Sequence, residues 1–243
     1  MQLGAYKWFR AEPAAVKETD TNRNSSDNVP PLIVRRLGLQ DYEPIWKSMA
    51  YLAEQGKQDR DDEIWMLSHK PVYTLGQTGK PEHILDAGDI PVINIDRGGQ
   101  VTYHGPGQLV VYLLLNMRRR GFGVRNLVDL IEKSIIDTLR EFDVEAVTRQ
   151  GAPGVYVNDA KISALGLRIK NGWSYHGLSL NVKMDLEPFS RINPCGFENL
   201  AVTQLVDLLG GGEVDGEPPL MQTVSTVLSN KLLSRLDYLP RPI

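Results

Sequence analysis

Cysteine is nearly absent: a chain of 243 residues carries one, Cys195. A single thiol excludes an internal disulfide and any zinc site built from several thiolates, and it suits a reducing compartment. Histidine is sparse as well. His69, His83, His104 and His176 are scattered, with no pair at the i, i+4 spacing of a shared helix face, so no metal is expected. A basic excess is missing too: 27 Lys and Arg stand against 30 Asp and Glu, a formal charge of −3, which disfavours nucleic acid as a partner. No run approaches the roughly 18 apolar residues of a spanning helix. The opening MQLGAYKWFRAEPAAVKETD has no uninterrupted apolar segment and is too acidic for a transit peptide. The expectation is a cytoplasmic protein without membrane insertion.

What is present is the composition of a globular protein, 42% hydrophobic and 23% charged, enough to bury a core. Residues 1–31 are polar and poor in large apolar side chains, so a poorly ordered extension is expected ahead of one domain spanning 32–243. From Leu32 the punctuation is that of an α/β protein. LIVRRLG reads as a strand, and Tyr42, Ile45, Trp46, Met49 and Leu52 follow at helical spacing before Gly56. EIWMLSH, PVYTLG and IPVINI read as short strands, and the apolar run QLVVYLLLNM as a strand buried on both faces. The strongest helix signal is VRNLVDLIEKSIIDTLREFD, with Leu127, Leu130, Ile131, Ile135 and Leu139 on one stripe.

Two hairpin signals come next, around Asn158-Asp159 and Asn171-Gly172. A two-residue turn at the second sets Lys170 opposite Trp173, Gly166 opposite Gly177 and Ala164 opposite Ser179. The last four share one face and form a slot of small residues. Glycine weakens a strand, so the slot marks either a ligand's approach to the backbone or a bulge or a tight packing contact with a neighbouring helix. A second unusual segment, DRGGQVTYHGPGQLVVY, places four glycines around Arg97 and His104 just before the buried strand. It reads as a binding loop or as a glycine-rich turn with a core histidine. It has neither the Walker pattern nor the dinucleotide fingerprint.

Cys195 sits in the turn NPCGFEN rather than in an apolar run, where a thiol can be presented to a cleft. A thiol needs a base or a cation nearby to become a thiolate near neutral pH. Lys161, a charge beside the small-residue slot, is the candidate; the commoner fate of such a residue is a hairpin-end lysine in water. His83, in KPEHILDAGD, reads as a surface loop residue.

Taken together, RGGQVTYHGPGQLVVYLLLN, GAPGVYVNDAKISALGLRI, HGLSLNV and RINPCGFEN resemble the octanoyltransferases of lipoate biosynthesis, the lipoyl(octanoyl) transferase family, in register from about Val34 to Leu208. The resemblance implies a mixed β-sheet flanked by helices, similar to the catalytic domains of biotin and lipoate protein ligases. It implies transfer of an octanoyl group from octanoyl-acyl carrier protein to a lysine amine of lipoyl domains, in 2-oxoacid dehydrogenase complexes and glycine cleavage H protein, with no cofactor. By the same likeness Cys195 is the acyl-thioester cysteine and Lys161 the catalytic lysine. Substrate binding falls on Arg97, Gly98, Gly99, Gln100, Val101, Thr102, Tyr103 and His104, on Ala164, Leu165 and Gly166, and on Gly177, Leu178 and Ser179. His69 and Tyr112 are further pocket candidates. Strict alternation sets Lys161 on the opposite face from Ala164 and Gly166, so a bulge, or a turn at Asp159-Ala160, is required.

A thioester is already activated, so the transfer expected is independent of ATP. Lys161 would take the proton of Cys195 and later that of the incoming amine. Backbone N–H groups at Lys161-Ile162 or Cys195-Gly196 would meet the tetrahedral oxyanion. Three other functions remain open on these residues. An ATP-dependent ligase and a noncatalytic acyl-binding protein both predict an inert Cys195, and a cysteine hydrolase would use His176 or His104 as its base.

Overall fold

The computed structural model describes residues 32–121, 123–196, 200–210 and 219–237, so the extension read in residues 1–31 lies outside the described residues. β1 (Leu32–Gln40) leads into α1 (Tyr42–Gln55), then β2 (Asp62–His69), β3 (Val72–Leu75), β4 (Val92–Asn94), β5 (Val101–His104) and β6 (Gln108–Leu114). After these come α2 (Met117–Arg120), α3 (Val124–Arg140), β7 (Val147–Thr148), β8 (Gly154–Val157), β9 (Ala160–Lys170), β10 (Trp173–Asn181), α4 (Leu205–Leu208) and α5 (Leu220–Asp237). The main sheet has the order β1-β2-β6-β10-β9-β8-β7. β1 and β2 run parallel and every other neighbouring pair in it is antiparallel, which makes the sheet mixed.

The period of two decides how the layers form. On β6, Leu109, Val111 and Leu113 point into a core closed by Leu127, Ile131 and Ile135 of α3. Val110, Tyr112 and Leu114 point the other way, into a second core with Met49 and Ala53 of α1 and with Trp173 and Tyr175. β6 is buried over its whole length, as an unbroken apolar run requires. The stripe Leu127, Leu130, Ile131, Ile135 and Leu139 is the buried side of α3, and the helix stops at Arg140, short of the expected 143. PVYTLG and IPVINI join a separate three-stranded sheet, β4-β3-β5, packed with Phe189 and Ile192.

α5 has no counterpart in the expectations from sequence. Leu220, Val224, Leu228, Leu232 and Leu236, each four residues apart, are all buried in the first core, and the helix lies against α3. Leucine at a strict four-residue interval is a helical signal, here diluted by intervening Ser, Thr and Asn.

The hairpin of β9 and β10 has the expected register, with Lys170 opposite Trp173, Gly166 opposite Gly177 and Ala164 opposite Ser179. Asn171 (φ 52) and Gly172 (φ 85) both take positive φ, as a two-residue primed turn demands. Between β8 and β9 the register slips: Tyr156 pairs with Lys161 but Val155 with Ser163, which leaves Ile162 as an extra residue on β9. The alternation is reset by that bulge. It is the device that strict alternation required for Lys161.

Candidate functional site

A cavity of about 410 Å³ opens beside the β9–β10 hairpin. Its wall includes Lys161, Ala164, Leu165, Gly166, Gly177, Leu178 and Ser179 of the hairpin together with Arg97, Gly98, Gly99, Gln100, Val101, Thr102 and His104 of the glycine loop and β5. Segments far apart in sequence thus form one concavity. Tyr103 is the exception in that stretch: its ring packs against Tyr73 and Phe189 inside the small sheet's core, away from the cavity. Tyr42 and Val128 also line the cavity and carried no cavity role in the sequence, and His176, read there only as the base of a hydrolase, lines it too. Among the described residues, no three or more His, Cys, Asp or Glu gather where they could hold a metal ion.

At its two glycines the small-residue slot is closely approached by the protein itself. A Cβ on Gly166 would sit 2.8 Å from Arg97 Cδ and 3.1 Å from the Gly98 carbonyl oxygen, and one on Gly177 would sit 2.1 Å from the Val111 carbonyl oxygen. The tight contact is therefore with the glycine loop and with β6. Gly98 N–H donates to Leu167 O at 3.1 Å, which docks the loop on β9.

Two side chains pin that loop. The buried Arg97 guanidinium donates to Thr74 O (2.8 Å), Thr74 Oγ1 (2.9 Å) and Gly98 O (2.9 Å), tying the loop to β3. Asp96 accepts from Trp46 Nε1 (2.8 Å), from His176 Nε2 (3.1 Å) and from the Tyr175 hydroxyl. Burial alone would raise the Asp96 carboxyl, but these hydrogen bonds, with the His176 bond first, hold it well below the usual carboxylate range. His176 gives Nε2–H to that carboxylate, and its φ of 60° is a strained conformation for a non-glycine residue.

Beneath the loop runs a buried polar chain. His69 Nδ1 lies 3.1 Å from Gln40 O, so that nitrogen carries the proton, and Tyr112 donates its hydroxyl to Nε2 at 2.7 Å. His104 Nδ1 donates to Gln108 Oε1 (2.7 Å), because the Gln108 amide nitrogen is already spent on Asn181 Oδ1 (2.9 Å) and Tyr103 O (3.3 Å). Burial pushes His69 down to about 4 and His104 down to about 3, the second helped by the neighbouring His69. Both imidazoles are neutral near pH 7, which makes them poor electrostatic partners for an anion.

Lys161 is only 5% exposed. Its backbone is clamped from the other side by residues 201–203, through Lys161 N–H to Ala201 O (2.8 Å) and Thr203 N–H to Lys161 O (3.0 Å). Its amine donates to Pro153 O at 3.0 Å and lies 5.3 Å from the centroid of the Tyr156 ring. A lysine in water would show none of this.

Cys195 belongs to a short 3₁₀ turn, Pro194–Gly196; its side chain lies outside the described residues. The turn is set by backbone bonds, Asn193 N–H to His83 O (2.8 Å) and Gly196 N–H to Asn193 O (3.0 Å), and by the bridge of Ile84 with Ile192. Pro194 and Lys161 line one narrow gap between them, so the turn and the lysine are neighbours. His83 is not the free surface residue that its sequence suggested. A Cβ on Gly196 would lie 3.5 Å from its Nε2, and its Nδ1 is buried without a hydrogen-bond partner among the described residues. The oxyanion donors expected at Lys161 N–H and Gly196 N–H are both engaged in the bonds just given.

Residues 41–232 match the family model of the lipoyl protein ligase A/B catalytic domain. An octanoyltransferase of Pseudomonas putida (strain F1) is 57% identical over 204 residues, covering 84% of this chain and 92% of that protein. An octanoyltransferase of Aliivibrio fischeri is 51% identical over 208 residues, covering 85% and 92%. Among solved structures, lipoate-protein ligase A bound with ATP superposes with a TM-score of 0.63 at 13% identity, over 86% of each chain, a likeness of fold.

Proposed function

The chain belongs to the lipoyl protein ligase A/B catalytic domain family and is an octanoyltransferase of protein lipoylation, and we propose that it works through an acyl-cysteine. The donor in this reading is octanoyl-acyl carrier protein. The acceptor is a lysine amine of a lipoyl domain, such as those of 2-oxoacid dehydrogenase complexes or glycine cleavage H protein. The observation that carries it is a buried lysine, Lys161, which lines the cavity and shares a narrow gap with Pro194 of the turn that contains the chain's one cysteine.

Lys161 Nζ takes the proton from Cys195 Sγ, giving ammonium and thiolate. The thiolate attacks the octanoyl carbonyl, a C–S bond forms, and the phosphopantetheine C–S bond breaks as its sulfur takes back the proton. One thioester replaces another, so the step is near thermoneutral and requires no ATP. In the second half the acceptor amine attacks the acyl-cysteine carbonyl, Lys161 removes the amine's extra proton as the C–N bond forms, and the C–S bond breaks with that proton passing to Sγ. The apolar cavity holds the alkyl chain, at about 0.8 kcal/mol for each CH₂ withdrawn from water. Neutral His104 adds no charge beside that chain, and Arg97 is occupied in holding the loop.

Intact mass tests the reading. The protein mixed with octanoyl-acyl carrier protein, without ATP, is expected to gain one octanoyl group, which Cys195→Ser prevents and an added lipoyl domain removes onto its lysine. Absence of the adduct, with Cys195→Ser still acylating the domain when ATP and octanoate are supplied, would replace this mechanism with ATP-dependent ligation.

A further inference from the structure

α3 is buried on its core side by leucine and isoleucine, yet Glu132 on the same helix is also buried, at 9% exposed. A carboxylate withdrawn from water at that position is costly unless a partner compensates it. Its partner is the Gly154 N–H, which donates to Glu132 Oε1 at 2.9 Å. The other end of that peptide group is the Pro153 carbonyl, the acceptor of the Lys161 amine at 3.0 Å. One planar peptide thus has a carboxylate on its N–H and an amine on its C=O. Such a chain is cooperative: an anion at the donor end polarises the amide and makes its oxygen a better acceptor for a cation.

The surroundings are built for this contact. Gly154 has φ 138°, and a Cβ there would lie 2.5 Å from Lys161 Cε and 3.1 Å from Nζ, so the lysine stem lies directly on the peptide. Burial leaves the Glu132 carboxyl raised, while the Gly154 N–H and, less strongly, the charge of Lys161 draw it only part of the way back. Asp129 is the other charged group acting on it.

We propose that Glu132 is a positioning residue for Lys161, acting through the Pro153–Gly154 peptide: it fixes the amine against the cavity wall and favours the ammonium that accompanies the Cys195 thiolate. This rests on the reading of Lys161 as the base for Cys195. The rival role for Glu132 is a plain anchor of residues 153–154 on α3, for which any hydrogen-bond acceptor of the same reach would serve.

Because Cys195 is the only thiol, the rate of its alkylation by iodoacetamide at pH 7, followed by intact mass, reports its thiolate without substrate or partner. Lys161→Ala is expected to slow it by about tenfold or more, and Glu132→Gln by about threefold to tenfold, with an unchanged melting temperature. Glu132→Asp, which keeps the charge and shortens its reach, should lie between Glu132→Gln and the wild type. In the Lys161→Ala background Glu132→Gln should add nothing, since its effect passes through the amine. Three results would overturn the proposal with the role of Lys161 intact: Glu132→Gln reacting like the wild type, Glu132→Gln reacting faster than Glu132→Asp, or an equal loss in both backgrounds. Wild-type alkylation in Lys161→Ala itself would instead remove the base assignment, and this inference with it.

Discussion

Gly154 is where backbone and chemistry come closest. Its φ of 138° lies where L side chains rarely go, and a methyl group there would run into Lys161 Cε at 2.5 Å and Ser163 O at 2.6 Å. Gly154→Ala is expected to lose about 1–3 kcal/mol of stability from strain, read as a lower urea midpoint. It should also lose about a hundredfold in transfer rate, because displacing the amine by about an ångström has that cost. A variant that loses stability but transfers normally would show that the amine has room to adjust. Asp96 makes a second residue-scale case. Asp96→Asn keeps one oxygen for Trp46 and His176 and turns an NH₂ toward the Tyr175 hydroxyl, which holds the contact only by accepting, so charge-assisted bonds become neutral ones at about 1–3 kcal/mol in all. The loop that Asp96 anchors lines the cavity, so the KM for the acyl donor should rise more than kcat falls. Lys161 was legible as a charge where the strand gave no reason for one. Glu132 was not: on a helix with a clear apolar stripe it reads as a solvent-facing position, and only the fold brings Gly154 to it.

At the scale of elements, the hairpin of β9 and β10 was readable to the residue because Asn-Gly admits a turn with two positive φ values and so fixes the register. The bulge at Ile162 was not, since the inserted residue is itself an apolar strand former and breaks no local pattern. Helix α3 carried a stripe of five and was plain. Its partner α5 has a narrower row, one buried aliphatic residue every four positions, and polar residues between them erase the broader stripe. The row is nonetheless structural. Leu228 is fully buried in the core that α3 and the sheet share, so Leu228→Ala should cost about 2–5 kcal/mol, the usual range for a leucine cavity. A calorimetric or denaturant melt reads that directly, and a change under about 1 kcal/mol would mean that α5 is only loosely packed on the domain.

For the molecule as a whole, the buried imidazoles set an acid limit on stability. His69 is held at about 4 and His104 at about 3, against an ordinary value of 6.5. Above pH 6.5 both are neutral, folded or unfolded, and their contribution to stability is complete. Between pH 6.5 and about 4 the unfolded chain takes up protons that the folded one refuses, so stability falls as pH falls, by at most about 1.4 kcal/mol per pH unit for each group. Below the folded values the loss stops growing. The cause is local: protonating His69 puts an N–H against the Tyr112 hydroxyl that now donates to Nε2, and protonating His104 adds a second charge in a site already buried. Asp96 adds a loss of the same sign at still lower pH, since its folded carboxyl is depressed and its bonds fail when it is protonated. Urea unfolding at pH 7, 6, 5 and 4.5 should therefore show a falling ΔG, and His69→Gln, which cannot titrate, should flatten the slope by one group's share. A flat profile in the wild type would mean that the two imidazoles already titrate near 6.5 in the folded protein, and the polar chain beneath the cavity would then gain positive charge near neutral pH.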